Sequence, residues 1–80
     1  METKDREAAI AVIRKAAEKY PSSFMTRKKV KGFSGDSVAV GTLANMDSLG
    51  TGIPGSFKIG RQVCYPVEQV CEWLISRLEA

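Results

Sequence analysis

The stretch FKIGRQVCY, residues 57–65, places apolar side chains at nearly alternate positions on both sides of a Gly-Arg pair. A period of two belongs to a strand with two different faces, and glycine supplies the positive φ that a tight hairpin corner demands. The chain is therefore expected to hold a β-hairpin with its corner at Gly60-Arg61 or Ile59-Gly60. The remaining apolar residues recur at helical spacing. A two-stranded hairpin alone is marginal in water, so this one has to lean on helices. With 80 residues in all, there is room for one domain with a modest core.

Four helices are expected around the hairpin. In residues 3–19, Ile10, Ile13, Ala17 and Tyr20 recur three and four apart, with Ala9, Val12 and Ala16 widening the stripe. Thr3 or Asp5 can cap its start. Pro21 ends it, and YPSS reads as a linker. Thr26 is a good N-cap for a second helix carrying Val30 and Phe33, which GFSGDS then breaks. A third helix is expected from Val38 to Leu49, capped by Asp36 or Ser37, with Ala39, Leu43 and Met46 inward and Gly50 at its C′ position. GTGIPG is a turn-rich linker into the hairpin. Pro66 tolerates a helix entry, and Val67, Val70, Trp73, Leu74 and Leu78 mark the buried face of a last helix over 67–78.

The net charge of +3 is unevenly spread. Residues 1–23 carry five basic and four acidic groups, and residues 66–80 carry Arg77 against three glutamates. Residues 24–65 hold Arg27, Lys28, Lys29, Lys31, Lys58 and Arg61 against Asp36 and Asp47, a local balance of +4 that suits an anionic partner. Cys64 and Cys71 lack the spacing of a redox or zinc motif, and the chain has no histidine. Both are expected to be free, buried thiols, with no metal and no cofactor. No apolar run approaches the roughly 20 residues of a membrane span. METKDREAAIAVIRK lacks the continuous apolar stretch of a signal peptide, so a cytoplasmic location is the expectation.

Two short helices around a glycine-containing break, followed directly by a hairpin, suggest a helix-turn-helix with a wing. The segments TRKKV at 26–30, GTLANM at 41–46, GTGIP at 50–54, FKIGRQVCY at 57–65 and VCEWL at 70–74 carry a family likeness. Over about 55 of its 80 residues the chain resembles the small winged helix-turn-helix proteins of the phage excisionase and AlpA-like group, related to MerR-type DNA-binding domains. The resemblance implies a mainly α fold with a small β-hairpin, the winged helix-turn-helix, with residues 1–23 as an extra N-terminal amphipathic helix and linker and 24–80 as the winged domain. It also implies double-stranded DNA as partner, the second motif helix in the major groove, and the wing beside or in a minor groove. The break GFSGDSVAV is longer than the family's usual one, and Met46 stands where an aromatic is common.

The candidate DNA-binding residues follow. Arg27, Lys28, Lys29 and Lys31 lie on the helix that commonly crosses the DNA backbone, and four cations within five positions cannot all face one way. Lys58 and Arg61 sit at a hairpin tip that can reach a narrow electronegative groove. Between Val38 and Leu49 there is no Arg or Lys and one acid, Asp47, so base reading falls to Asn45, with Thr42 and Ser48 as weaker readers. Trp73 and Tyr65 could serve as a stacking platform for single strands, but Trp73, at helical spacing with Val70, is expected in the core, and Tyr65 in the core or in support of the wing. The stripe of residues 3–20 suits either packing against the domain or a homodimer interface. No histidine, paired carboxylate or Gly-x-Ser-x-Gly elbow supports catalysis, and GTGIPG is not a phosphate-binding P-loop.

The expected function is thus a non-enzymatic DNA-binding protein of a phage or mobile element, an excisionase-like architectural factor or a transcriptional regulator. A recombinase or RNA polymerase would be its protein partner, and the DNA-recognition domain of a small terminase is a variant of the same reading. The alternative is a protein-interaction module on a winged-helix scaffold with little independent DNA binding, favoured by the uncharged third helix.

Overall fold

A computed structural model describes residues 3–78. The fold is mixed α/β: α1 (Thr3–Lys19), β1 (Phe24–Thr26), α2 (Arg27–Phe33), α3 (Val40–Ser48), β2 (Phe57–Ile59), β3 (Gln62–Pro66) and α4 (Val67–Ser76). Among the described residues no helix is long and apolar enough to cross a membrane. The arrangement is consistent with a small winged-helix-like fold.

The sheet corrects the expectation of a lone hairpin. Phe24–Thr26, which follows the expected linker of residues 20–23 and ends on the cap Thr26, forms a third strand, and the antiparallel order is β1-β3-β2. Pairing runs Phe24 to Pro66 and Thr26 to Cys64 on one side of β3, and Phe57 to Cys64 and Ile59 to Gln62 on the other. The central strand thus has partners on both sides, which removes the marginal stability of an isolated hairpin. The corner is Gly60-Arg61. Gly60 takes φ 59° and Arg61 stays at negative φ, the pattern of a type II′ loop whose first central position favours glycine.

Helix ends follow local chemistry. Thr26 caps α2, its hydroxyl accepting from the Lys29 N–H at 3.4 Å. α3 closes in a Schellman motif, with Thr51 N donating to Met46 O at 2.9 Å and Gly50 N to Asp47 O at 3.1 Å, Gly50 standing at φ 75°. Other expected ends shift. Thr3 and Asp5 lie inside the first turn of α1 rather than capping it. α3 starts at Val40 with Ala39 as its N-cap, so neither Asp36 nor Ser37 caps it; Asp36 instead follows the C-cap of α2 in the left-handed region, its N–H donating to Lys31 O at 2.8 Å. Val38, expected within the helix, is buried in the turn that precedes it. α4 begins at Val67 after Pro66, and the Val67 N–H finds the Ser23 carbonyl at 2.9 Å.

The core gathers Met25, Val30, Val38, Leu43, Ile53, Tyr65, Val67, Val70 and Trp73 from every element after α1 except β2. Tyr65 and Trp73 are buried, as expected of core rings. Cys64 and Cys71 are buried thiols. α1 lies along α4, where Ala17 and Tyr20 reach the core edge and Arg14 Nη1 donates to Glu72 Oε1 at 2.7 Å.

Candidate nucleic-acid interface

α2 packs against α3, β1 and β3, which sets one face of the helix inward. Val30 is fully buried and Phe33 is partly buried on that face. Lys28, Lys29 and Lys31 are all exposed. Lys28 and Lys31, three apart, share the side away from Val30, and Lys29 flanks it.

On α3 the inward residues are Leu43, fully buried, and Met46, packed against the core. The exposed positions are Gly41, Thr42, Asn45, Ser48 and, just past the helix, Leu49. Their spacing of three and four lines them up as one strip. All three expected base readers, Thr42, Asn45 and Ser48, stand on it. The strip is uncharged and ends in Leu49, which is 69% exposed.

Every residue of β2 is exposed, including Lys58, as are Gly60 and Arg61 at the corner. Register separates the two faces of the sheet. Lys58 pairs with Val63 and so shares a side with Tyr65 and Met25, while Phe57 and Ile59 share the opposite side with Cys64 and Phe24. Alternation in β2 therefore does not mark a core face. Phe57 and Phe24 meet edge to face across β3, with centroids 5.5 Å apart, over the buried Cys64.

Arg27 is placed differently from the other candidate cations. Its Nη2 donates to Asp47 Oδ2 at 2.7 Å and its Nε to Tyr65 Oη at 3.0 Å; Tyr65 Oη in turn donates to the same Asp47 oxygen at 2.5 Å. The bracket ties the first turn of α2 to the last turn of α3 and to the central strand. The two hydrogen bonds raise the Arg27 pKa further above its ordinary value. Burial, then the bond to Asp47, pushes the Tyr65 hydroxyl above its ordinary 10.0, with Arg27 opposing. Gly52 completes the enclosure: a Cβ there would fall on Asp47 Oδ1 and lie 3.2 Å from the Asp47 backbone nitrogen, so no larger residue fits without displacing the carboxylate.

Neither Asp47 nor Tyr65 was expected as a partner of Arg27. The signal available in the sequence was Asp47 itself, a single acid in a helix with no cation to pair with. Away from this face, a groove of about 530 Å³ between α1, the α2–α3 turn and α4 is lined by Val12, Ile13, Phe33, Val38 and Leu74, with Arg77 at its side. Such a lining offers apolar contact rather than acid-base chemistry.

No protein-family model matches the sequence, and neither a curated protein nor a solved structure matches it significantly.

Proposed function

We propose that this protein binds double-stranded DNA without catalysing a reaction, as an excisionase-like architectural factor or transcriptional regulator of a phage or mobile element. The observation that supports it is the succession of α2, α3 and the β2–β3 hairpin, whose Lys28, Lys29, Lys31, Lys58 and Arg61 are exposed and, among the described residues, free of ion pairs. In this reading the strip of Thr42, Asn45 and Ser48 enters the major groove. Asn45 can present its amide to the N6 and N7 edge of adenine, and Leu49 can meet a thymine methyl. Lys28, Lys29 and Lys31 take phosphates beside it, and the hairpin tip carries Lys58 and Arg61 to the neighbouring backbone or minor groove. Because the strip holds no arginine or lysine, affinity is dominated by phosphate contacts and sequence discrimination is weak.

Fluorescence anisotropy of a mixed-sequence duplex, at about 50 and 200 mM salt, tests this. Binding should weaken by roughly 40- to 500-fold over that range for three to five phosphate contacts, and the Lys58→Ala/Arg61→Ala double variant should lower the salt slope by about 2. Absence of binding at the lower salt would remove the reading. The second reading, a protein-interaction module, draws on Val12 and Leu49, each 69% exposed. A partner held on the α1 stripe would tolerate salt and the hairpin variants and be lost with Ile10→Asp or Ile13→Asp.

A further inference from the structure

We propose that Asp47 withholds Arg27 from DNA, so that the interface works with one phosphate contact fewer than its cations allow; the inference rests on the DNA-binding reading above. Arg27 opens the helix expected to lie along the DNA backbone, in the same run of cations as Lys28, Lys29 and Lys31. By position it belongs to the phosphate-binding set. By geometry its guanidinium is turned inward, with Nη2 on Asp47 and Nε on Tyr65. Its side chain keeps 22% exposure, and that of Asp47 18%, so the pair sits at the surface edge rather than in the core. A carboxylate at 2.7 Å is the same kind of acceptor that a DNA phosphate would be, and the two compete for one fork of donors.

Two further observations indicate that the fold holds this competitor in place. The Tyr65 hydroxyl, on a fully buried ring, donates to the Asp47 oxygen that Arg27 uses. Gly52 leaves the space that the other carboxylate oxygen occupies. Asp47 thus has a fixed seat from which it neutralises Arg27, and it does so on α3, whose exposed strip would face the DNA. Asp36, the other acid of the central segment, is exposed and has no ion-pair partner among the described residues. It supplies a control for the general effect of removing a negative charge.

The test measures affinity for a mixed-sequence duplex against salt, for the wild type, Asp47→Asn, Asp36→Asn, Arg27→Gln and Arg27→Gln/Asp47→Asn, with thermal melting of each to establish folding. Asp47→Asn keeps the side-chain volume and removes the charge. If Arg27 is released to one phosphate, the salt slope steepens by about 0.9, which adds a factor of about 3.5 to the affinity change between 50 and 200 mM. Asp36→Asn should leave the slope unchanged, and the gain should vanish when Arg27 is also replaced. Asp47→Ser, which removes the carboxylate with a smaller side chain, should show the same gain and serves if Asp47→Asn does not fold. An Asp47→Asn slope no steeper than that of Asp36→Asn, or a gain that survives Arg27→Gln, overturns the proposal while leaving the DNA reading intact. So does an unchanged slope in folded Asp47→Ser where Asp47→Asn fails to fold. If neither the wild type nor any variant binds at 50 mM, the DNA reading itself falls and this inference with it.

Discussion

α1 and α4 lie side by side, both carry apolar residues at helical spacing, and they are stabilised in different ways. α4 has ten residues and buries Val67, Val70, Cys71, Trp73 and Ile75. α1 has seventeen and buries none. α4 is built largely from valine, isoleucine, cysteine and tryptophan, which are modest helix formers, and it is too short to persist alone; packing between β3 and α1 holds it. α1 is rich in alanine, glutamate, lysine and arginine, and its length exceeds the roughly 12–15 residues below which isolated helices are marginal. Local propensity therefore contributes more to α1 than to α4, and α1 rests on α4 as an outer layer. A helical stripe thus identifies which side of a helix turns toward the protein. How deeply that side is buried depends on what lies on the far side of its neighbour.

The strongest way to break the comparison is through the inner layer. Trp73→Ala should destabilise the protein by about 3–5 kcal/mol, a large part of the stability available to a domain of this size, and chemical denaturation should show the loss as a lower midpoint. A midpoint unchanged from wild type would mean that α4 is not held by burial.

Tyr65→Phe probes the same layer through pH. Loss of a hydroxyl bonded to two charged groups should cost about 1.5–3 kcal/mol at neutral pH. The Tyr65 pKa is raised in the folded state, so its contribution is fully present below pH 10.0 and is lost as pH climbs through the folded value. Wild-type stability should therefore fall more steeply above pH 10 than that of Tyr65→Phe. A residual decline in the variant, beginning above pH 9.0, is expected from Cys71, whose thiol burial also pushes up. Parallel pH profiles for the two proteins would contradict the burial assigned to Tyr65.

Replacements in the outer layer should be mild. Ile13→Ala, at a half-buried position, should cost about 1 kcal/mol. Arg14→Ala removes an ion pair whose side chains are more than half exposed, and it should leave the melting temperature unchanged at moderate salt. A larger loss from Arg14→Ala than from Ile13→Ala would reverse the ranking and make the α1–α4 contact electrostatic.

Much of this architecture was legible residue by residue. The span of α1 followed from its periodicity and Pro21, the start of α2 from Thr26, the end of α3 from Gly50 and the hairpin corner from Gly60. The start of α3 was misplaced by two residues because Val38 reads as part of the helical stripe, whereas it is buried from the preceding turn. β1 was missed because Phe24–Thr26 has only three residues, too few for alternation to register, and its strand character comes from pairing with β3 about forty residues later. At the candidate interface, the exposure of Lys28, Lys29, Lys31, Thr42, Asn45, Ser48, Lys58 and Arg61 agrees with their polar character. Arg27 was grouped with them because its chemistry is theirs, and only its distant partners set it apart.

The sequence by itself determined the span of α1, the starts of α2 and α4, the end of α3 and the hairpin corner, because caps, proline, glycine at positive φ and side-chain periodicity act within about one helical turn or one hairpin. The tertiary structure decided the third strand, the depth at which each helix is buried, the outward face of Phe57 and Ile59, and the bracket of Arg27, Asp47 and Tyr65, whose members stand 18, 20 and 38 residues apart. Those contacts form only when chain closure brings separate elements together, and a hydrogen bond between such distant residues has no local pattern to announce it.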